Sequence, residues 1–332
     1  MSVQRLQQQL LALGSKPHLS QKEINTLRQA AGATVSPKER AIVDDFVRQH
    51  RDTLEETDIR QLYKSLSRPL PSHAQLRITE EHALGSKEAS GVIRTKKGWL
   101  IADDDKGLFY QTHQGETIKQ IGSKHKAAQG IEGLCLSEDG KTAYTLSEDS
   151  RAVYAMPLSF DKKGHPKLGE AERLGRLPTL GDTHNKGWEG LDILPARFSA
   201  DGKQHLVAIH EGEPRQIGIF ALPDLTTAHL LKLPNEVKEH LADLSDIAIC
   251  PKTGHLFLLS DESRTIAELA IQSRHRSAPG ALLEQVELEY LGHTTLDLPK
   301  HAKPEGLSFD GEDTLWMVSD GDQRMWKIDV QR

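Results

Sequence analysis

The chain has 332 residues, 37% hydrophobic and 27% charged, with 26 glycines and 15 prolines, a globular composition with room for one large domain and a small one. The net charge of −6 argues against a general nucleic-acid binder, which carries a basic excess. No apolar run approaches the roughly 20 residues that span a bilayer.

The N-terminus, "MSVQRLQQQLLALGSKP", has too short an apolar core and too many glutamines for a secretory signal. A cytoplasmic location is therefore the default expectation, although signal-independent export or envelope association would leave no mark here. Two segments follow in which serine precedes glutamate by three residues, Ser20 with Glu23 and Ser36 with Glu39. That is capping-box spacing, in which both side chains satisfy free N–H groups at a helix start. Apolar residues then recur at helical spacing: Ile24, Leu27, Ala30 and Ala31, then Ile42, Val43 and Phe46. With Leu6, Leu10 and Leu11 before them and Ile59, Leu62 and Leu66 after, residues 1–68 predict a bundle of about four helices. This region shows no chemistry, so a docking or structural module is expected. The stretch 69–75, within "SRPLPSH" and its neighbours, predicts a linker.

Residues 76–332 predict a five-bladed β-propeller. Five segments align: 89–105, 131–149, 188–211, 245–262 and 304–321. Each holds a strand, a polar turn and a second apolar strand, followed by a third: "GLFYQ", "AVYAM", "IGIFAL", "TIAELAI" and "MWKIDV". Segment starts lie 42, 57, 57 and 59 residues apart, the scale of a propeller blade. One blade cannot bury both faces, so radial stacking completes the core. Cys135 and Cys250 fall inside apolar strands and read as small core residues.

The first strand of each blade starts, and the second ends, at the same mouth of the central channel. Strand starts give Ser90, Glu132, Glu189, Asp246 and Glu305; strand ends give Asp103, Glu148, Glu211, Asp261 and Asp320. Nine of these ten are carboxylates, in a chain where Asp and Glu make 48 of 332 residues. Crowded, buried carboxylates each cost several kcal/mol unless paired, protonated or metal-bound. Oxygen-only ligands favour a hard divalent ion, Ca²⁺ ahead of Mg²⁺ or Mn²⁺. Glu132, Glu189, Asp246 and Glu305, nearest the axis, are the candidate ligands, with hydrogen bonding to channel backbone N–H groups as the alternative. A basic residue follows each outer acid by three or four positions: Lys106, Arg151, Arg215, Arg264 and Arg324. These either neutralise the outer acids or present a rim to a small anionic ligand.

The series "EASGV", "IEGL", "WEGL", "DLSDIAICPKTGHLFLLSDESR" and "KPEGLSFDGEDTLWMVSD" resembles the SdiA-regulated family of bacterial β-propellers over about residues 75–330. The fourth segment is the most specific, with Asp in place of Glu. The resemblance implies a five-bladed propeller with Ca²⁺ near the channel mouth, and more distantly a likeness to gluconolactonase-like and esterase-like phytase propellers. Relatives typically carry an N-terminal anchor or export signal, which this sequence does not show.

Two functions follow. In one, the ion stiffens the ring and the mouth or helices recognise a ligand or protein partner. In the other, a metal-bound water attacks an anionic ester, phosphoester or lactone, with a base beside it. His210, Glu211 and Asp261 are candidates for that base, and His184 and Asn185 lie in a loop before Glu189. No G-x-S-x-G, H-E-x-x-H, P-loop or dinucleotide fingerprint is present, which favours the binding reading.

Overall fold

The computed structural model describes residues 2–14, 16, 18–31, 37–50, 53–55, 58–59, 62, 66, 74–104, 107–115, 117–121, 130–181, 187–199, 201–274 and 285–331. Among the described residues, the N-terminal helices α1 (Ser2–Leu13), α2 (Gln21–Ala30) and α3 (Pro37–Gln49) share an apolar core with Leu54 and with the helical Ile59, Leu62 and Leu66. The capping box at α2 is formed, with Ser20 Oγ accepting from Glu23 N and Glu23 accepting from Ser20 N. The matching Ser36 lies outside the described residues. Leu6, Leu10 and Leu13 point into this core, whereas Leu11 is 81% exposed. The expectation for Leu11 is thus corrected: its position on α1 lies off the buried stripe.

The remainder is a five-bladed β-propeller of antiparallel sheets. Strand β1 (Gln75–Ala83) comes first but belongs to the last blade. Blade 1 is β2 (Ala89–Thr95), β3 (Gly98–Asp103), β4 (Gly107–Thr112) and β5 (Thr117–Ile121). Blade 2 is β6 (Ile131–Leu136), β7 (Thr142–Ser147), β8 (Ala152–Phe160) and β10 (Glu172–Arg176), with the short β9 (Pro166–Leu168) beside β8. Blade 3 is β11 (Trp188–Leu194), β12 (His205–His210), β13 (Gln216–Ala221) and β14 (Thr227–Lys232). A short helix α4 (Asn235–His240) leads into blade 4, formed by β15 (Asp246–Ile249), β16 (Leu256–Ser260), β17 (Thr265–Arg274) and β18 (Gln285–Thr295). Blade 5 is β19 (Lys303–Phe309), β20 (Thr314–Asp320), β21 (Arg324–Gln331) and β1, paired from Gln75↔Gln331 to Ala83↔Arg324. The ring is therefore closed by the N-terminal strand of the propeller zipped onto its C-terminal strand.

Five apolar clusters hold the blades, one between each adjacent pair. Strand β12, "HLVAIH", shows why the runs are continuous. Its Leu206 and Ala208 face blade 2 while Val207 and Ile209 face blade 4. A strand buried on both faces reads as unbroken hydrophobicity rather than alternation. Cys135 and Cys250 are buried and free. No helix among the described residues is long and apolar enough to cross a membrane.

Candidate functional site

The E-G-L segments owe their glutamates to a repeated irregularity. In blades 2, 3 and 5 the inner strand carries a β-bulge, between Ile131 and Gly133, Trp188 and Leu191, and Pro304 and Gly306. Blade 1 has the same shift between Ala89 and Gly91. The skipped residues include Glu132, Glu189, Glu305 and Ser90. Bulged residues leave the ladder and are re-aimed; here they are turned to the channel mouth. The adjacent glycines let the inner strands close round the axis. A Cβ on Gly306 would lie 2.7 Å from Gly91 Cα, and one on Gly190 would lie 2.0 Å from Asp246 Oδ1.

Blade 4 departs from this pattern. Strand β15 pairs without a bulge, Asp246 opposite Leu259. Counting back from the end of the second strand, Asp246 takes the place of the glycine, and Ser245 that of the glutamate. Ser245 lines the mouth; Asp246 does not. Its carboxylate accepts from Leu307 N (2.6 Å) and Ile247 N (2.7 Å), tying blade 4 to blade 5. Asp192 likewise accepts from Ile249 N (2.6 Å) and Ile193 N (2.7 Å), tying blade 3 to blade 4. Burial drives both carboxyls up, Asp192 to about 7 and Asp246 well above the usual range, against the opposing pull of those N–H donors.

A cavity of about 370 Å³ occupies the mouth. Eleven carboxylates line it: Glu132, Glu189 and Glu305 from the bulges, Asp104, Glu148, Glu211, Asp261 and Asp320 at or just beyond the ends of the second strands, and Glu88, Asp243 and Glu262 in flanking turns. No Lys, Arg or His among the described residues lines it. In blade 1 the mouth residue is Asp104, not the expected Asp103, which is buried and accepts from Ser86 Oγ. Each second-strand acid stands three residues before a tight-turn position, left-handed at Gly107, Arg151, Arg264 and Gln323. That spacing identifies Asp104 within "ADDDKG" and was the signal available in the sequence. Glu88, Asp243 and Glu262 lie outside the strand-start and strand-end positions: Glu88 and Asp243 each stand two residues before the serine that takes the glutamate's place, and Glu262 follows Asp261 as Asp149 follows Glu148.

The electrostatics follow from the crowding. Burial, then Asp261, Asp243 and Asp320, push Glu305 up to about 9. Burial, then Asp104 and Glu148, raise Glu132 to about 8. Glu189 is held well above its ordinary range by burial and by Glu132, Glu148, Glu211 and Glu305. Asp261, half-buried and hydrogen-bonded to the Asp243 carboxyl, rises to about 7, and Glu148 is raised by partial burial and by Asp149. A concavity of this kind demands protons or cations.

The rim arginines do not meet here. None of Arg151, Arg215, Arg264 and Arg324 lines the cavity. Arg215 donates to the carbonyls of Leu241 and Ala242, and Arg324 to Glu81 on β1. His210 is fully buried against Trp188, its Nδ1 2.9 Å from Gly212 O, and it does not line the mouth. Glu211 and Asp261 do. His184, Asn185 and Lys106 lie outside the described residues.

A model of the SdiA-regulated family matches residues 87–323. The chain belongs to that family. Solved structures similar to this SdiA-regulated protein share little sequence with it. A Myxococcus xanthus glutaminyl cyclase is 14% identical, covering 79% of this chain and 100% of its own, with a TM-score of 0.48. A protein assigned as a gluconolactonase is 14% identical over 78% of this chain and 93% of its own, TM-score 0.42. A Bacteroides thetaiotaomicron protein of unknown function is 10% identical over 78% of this chain and 77% of its own, TM-score 0.45.

Donor chemistry at the mouth of this SdiA-regulated propeller suits a hard cation: every charged group is a carboxylate, and Asp320 Oδ1 is buried without a hydrogen-bond partner. Among the described residues, however, no three His, Cys, Asp or Glu side chains already converge on one point as a metal centre. Holding an ion therefore requires side-chain rotation or bridging water.

Proposed function

We propose that the acidic mouth is a divalent-cation site, Ca²⁺ ahead of Mg²⁺ or Mn²⁺, through which the propeller acts as a ligand- or partner-binding module. The observation that carries this is eleven carboxylates around one cavity with no basic side chain on its described lining. At neutral pH protonation relieves only the most crowded acids, such as Glu305 and Glu132, whereas a divalent ion also neutralises the carboxylates that remain ionised. Glu132, Glu189 and Glu305 are the ligands nearest the axis, with Asp104, Asp261 and Asp320 in reserve. A bound ion supplies positive charge at the centre, which is what an anionic ligand would meet first, because the arginines point elsewhere. The helical region 1–68 serves in this reading as a docking module; of the linker expected at 69–75, residues 69–73 lie outside the described residues, and Gln75 already opens β1.

A second reading, hydrolysis of an anionic ester, phosphoester or lactone, is favoured by one observation. Asp261 and Asp243 share a hydrogen bond at the open mouth, and Asp261 titrates near neutrality, which suits a general base.

Calcium titration by calorimetry, with thermal melting of wild type and Glu189→Gln, tests the first reading. Ca²⁺ should raise the wild-type melting temperature, and Glu189→Gln should lose most of that response. If no divalent ion stabilises the wild type, the cation site is rejected and the hydrolase goes with it. If ions bind, an ester, phosphoester and lactone panel assayed with the ion present decides between module and enzyme.

A further inference from the structure

Blade 2 carries a hairpin at the end of the propeller opposite the acidic mouth. Strand β8 starts beside the mouth, with Ala152 paired to Ser147, and runs to Phe160 at the far end. There it folds back as β9, pairing Leu158↔Leu168, Ser159↔Lys167 and Phe160↔Pro166. The tip, residues 161–165, reads "DKKGH".

The tip is tied down. Asp161 Oδ1 accepts from Lys163 N at 2.8 Å and His165 N at 2.9 Å, and Gly164 N donates to Asp161 O at 2.9 Å. Gly164 stands at φ +83°, and a Cβ there would lie 2.8 Å from Lys97 Cδ, so the tip rests on the β2–β3 turn of blade 1. The His165 ring lies 5.9 Å from that of Tyr110, and Leu168 packs against the core between blades 1 and 2. A tip fixed in this way meets a partner in one shape, with little ordering entropy left to lose.

Five exposed lysines gather here: Lys162 and Lys163 at the tip, Lys167 on β9, and Lys96 and Lys97 in the turn beneath it. None of the five forms an ion pair among the described residues, whereas Lys141 and Lys252 at the same end pair with Asp139 and with Glu312 and Asp313. The acid of the hairpin, Asp161, is folded back on its own backbone. Glu170 and Glu172 stand back from the tip, where Gly169 N donates to Pro157 O and Glu172 pairs with Ala155. Beside the lysines Phe160 is 47% exposed, the one exposed ring among the described Phe, Tyr and Trp residues.

We propose that this hairpin docks the propeller on an anionic phospholipid surface, the five lysines meeting the headgroups and Phe160 entering the interfacial layer beneath them. Both parts fit that boundary: ammonium groups are held by the lipid charge, and an apolar ring enters the edge of the acyl region. Following a nucleic-acid strand takes a charged groove with stacking rings in series, whereas here a single ring crowns a corner. The seven residues of β2 span about 20 Å, about two Debye lengths at 0.1 M salt. The acidic mouth at the other end is therefore screened from the bilayer and faces water.

Co-sedimentation of the full chain with phosphatidylcholine vesicles holding about 30% phosphatidylserine, at about 0.1 M salt, reads the docking. EDTA is present so that calcium cannot bridge the acidic mouth to the lipid. At about fivefold in partitioning per lysine, the five give a constant on the order of 10³ M⁻¹, so half the protein should sediment at about 1 mM lipid. Pure phosphatidylcholine, or salt raised to about 0.5 M, should abolish binding. Lys162→Glu with Lys163→Glu should weaken it about twentyfold or more, and Phe160→Ser severalfold; these side chains are exposed, so both proteins should melt like wild type. Lys232→Glu with Lys238→Glu, the same change of charge at the mouth end, should bind like wild type. The proposal is overturned if the wild type ignores acidic vesicles or sediments equally with neutral ones. It is also overturned if the Lys162 and Lys163 pair or Phe160→Ser binds like wild type, or if the Lys232 and Lys238 pair loses as much. Equal affinity for a single-stranded oligonucleotide would make the corner a general polyanion surface. Self-association without vesicles, lost in the Lys162 and Lys163 pair, would assign it to the acidic mouth of a second copy. Either result also overturns the lipid assignment.

Discussion

Replacing Glu305 by glutamine separates the cost of the acidic mouth from its use. Glutamine has the shape of the protonated glutamic acid and cannot ionise. Glu305 is pushed from its ordinary 4.5 to about 9, chiefly by burial and then by Asp261, Asp243 and Asp320. With chelator present, a group whose folded pKa is raised leaves the protein most stable below the unfolded pKa. Stability is then lost as pH rises toward the folded value, because the unfolded chain releases the proton first. Between pH 4.5 and 9 the loss runs at about 1.4 kcal/mol per pH unit, so at pH 8 the wild type sits about 5 kcal/mol below its acidic limit. That figure is a ceiling, because protonation of Glu132 and Asp261 relieves the same field. Thermal melting in EDTA, at pH 5 and pH 8, reads it directly. At pH 8 Glu305→Gln should melt higher than wild type by on the order of 10 °C, at the ~2–4 °C per kcal/mol of a domain this size; at pH 5 the two should nearly coincide. A Glu305→Gln protein that melts no higher at pH 8, or by the same margin at both pH values, would refute the crowding argument.

Other substitutions test the geometry of the ring. Gly190→Ala places a methyl group 2.0 Å from Asp246 Oδ1 and 2.6 Å from its Cα; because the Cα cannot swing aside, urea unfolding should show a loss of about 2–4 kcal/mol. Asp246→Ala removes the shared acceptor of Leu307 N and Ile247 N, for about 2–4 kcal/mol by the same assay. Asp246→Asn should recover only part, since its amide turns a donor toward one of the two N–H groups. Glu268, buried in blade 4, accepts from Ala74 N at 2.7 Å and contacts His255 Nδ1 at 2.7 Å. Glu268→Ala should cost about 3–5 kcal/mol and speed amide exchange at the entry to β1.

The propeller was readable because each inner hairpin is buried on both faces, so "HLVAIH" and "LFLLS" stand out as unbroken apolar runs. The outermost strands were not. Strand β1, "QLRITEEHA", is exposed at most of its positions, and β10, "ERLGR", has no fully buried residue; neither carries a pattern that a periodicity argument can find. The three E-G-L glutamates were visible as a repeat, and the structure adds their cause in the bulge. Blade 4 was misaligned by one residue because it lacks that bulge: without an extra residue in the ladder, the acid in "LSDIAI" falls on the glycine position and turns inward to backbone N–H groups. The arginines that follow the outer acids share their spacing but not the mouth: Arg151 and Arg264 occupy the left-handed turn position itself, while Arg215 donates to the carbonyls of Leu241 and Ala242 and Arg324 to Glu81.

The closure of blade 5 has a consequence for how the chain comes into being. Gln75 pairs with Gln331, so β1, the first propeller strand to be made, waits for its partner until the four intervening blades have emerged. During that interval its edge is an open template for pairing with any other nascent strand. The composition of β1 answers this hazard: Arg77, Glu80, Glu81 and His82 lie along it, and most of its positions are exposed, with only Leu76 and Ile78 packed against the blade 4–blade 5 core. The same polarity that hid it from periodicity keeps it soluble while it is alone. Arg324 and Lys327, arriving on the last propeller strand, pair with Glu81 and Glu80, so charge as well as backbone hydrogen bonding matches the latch to its own strand.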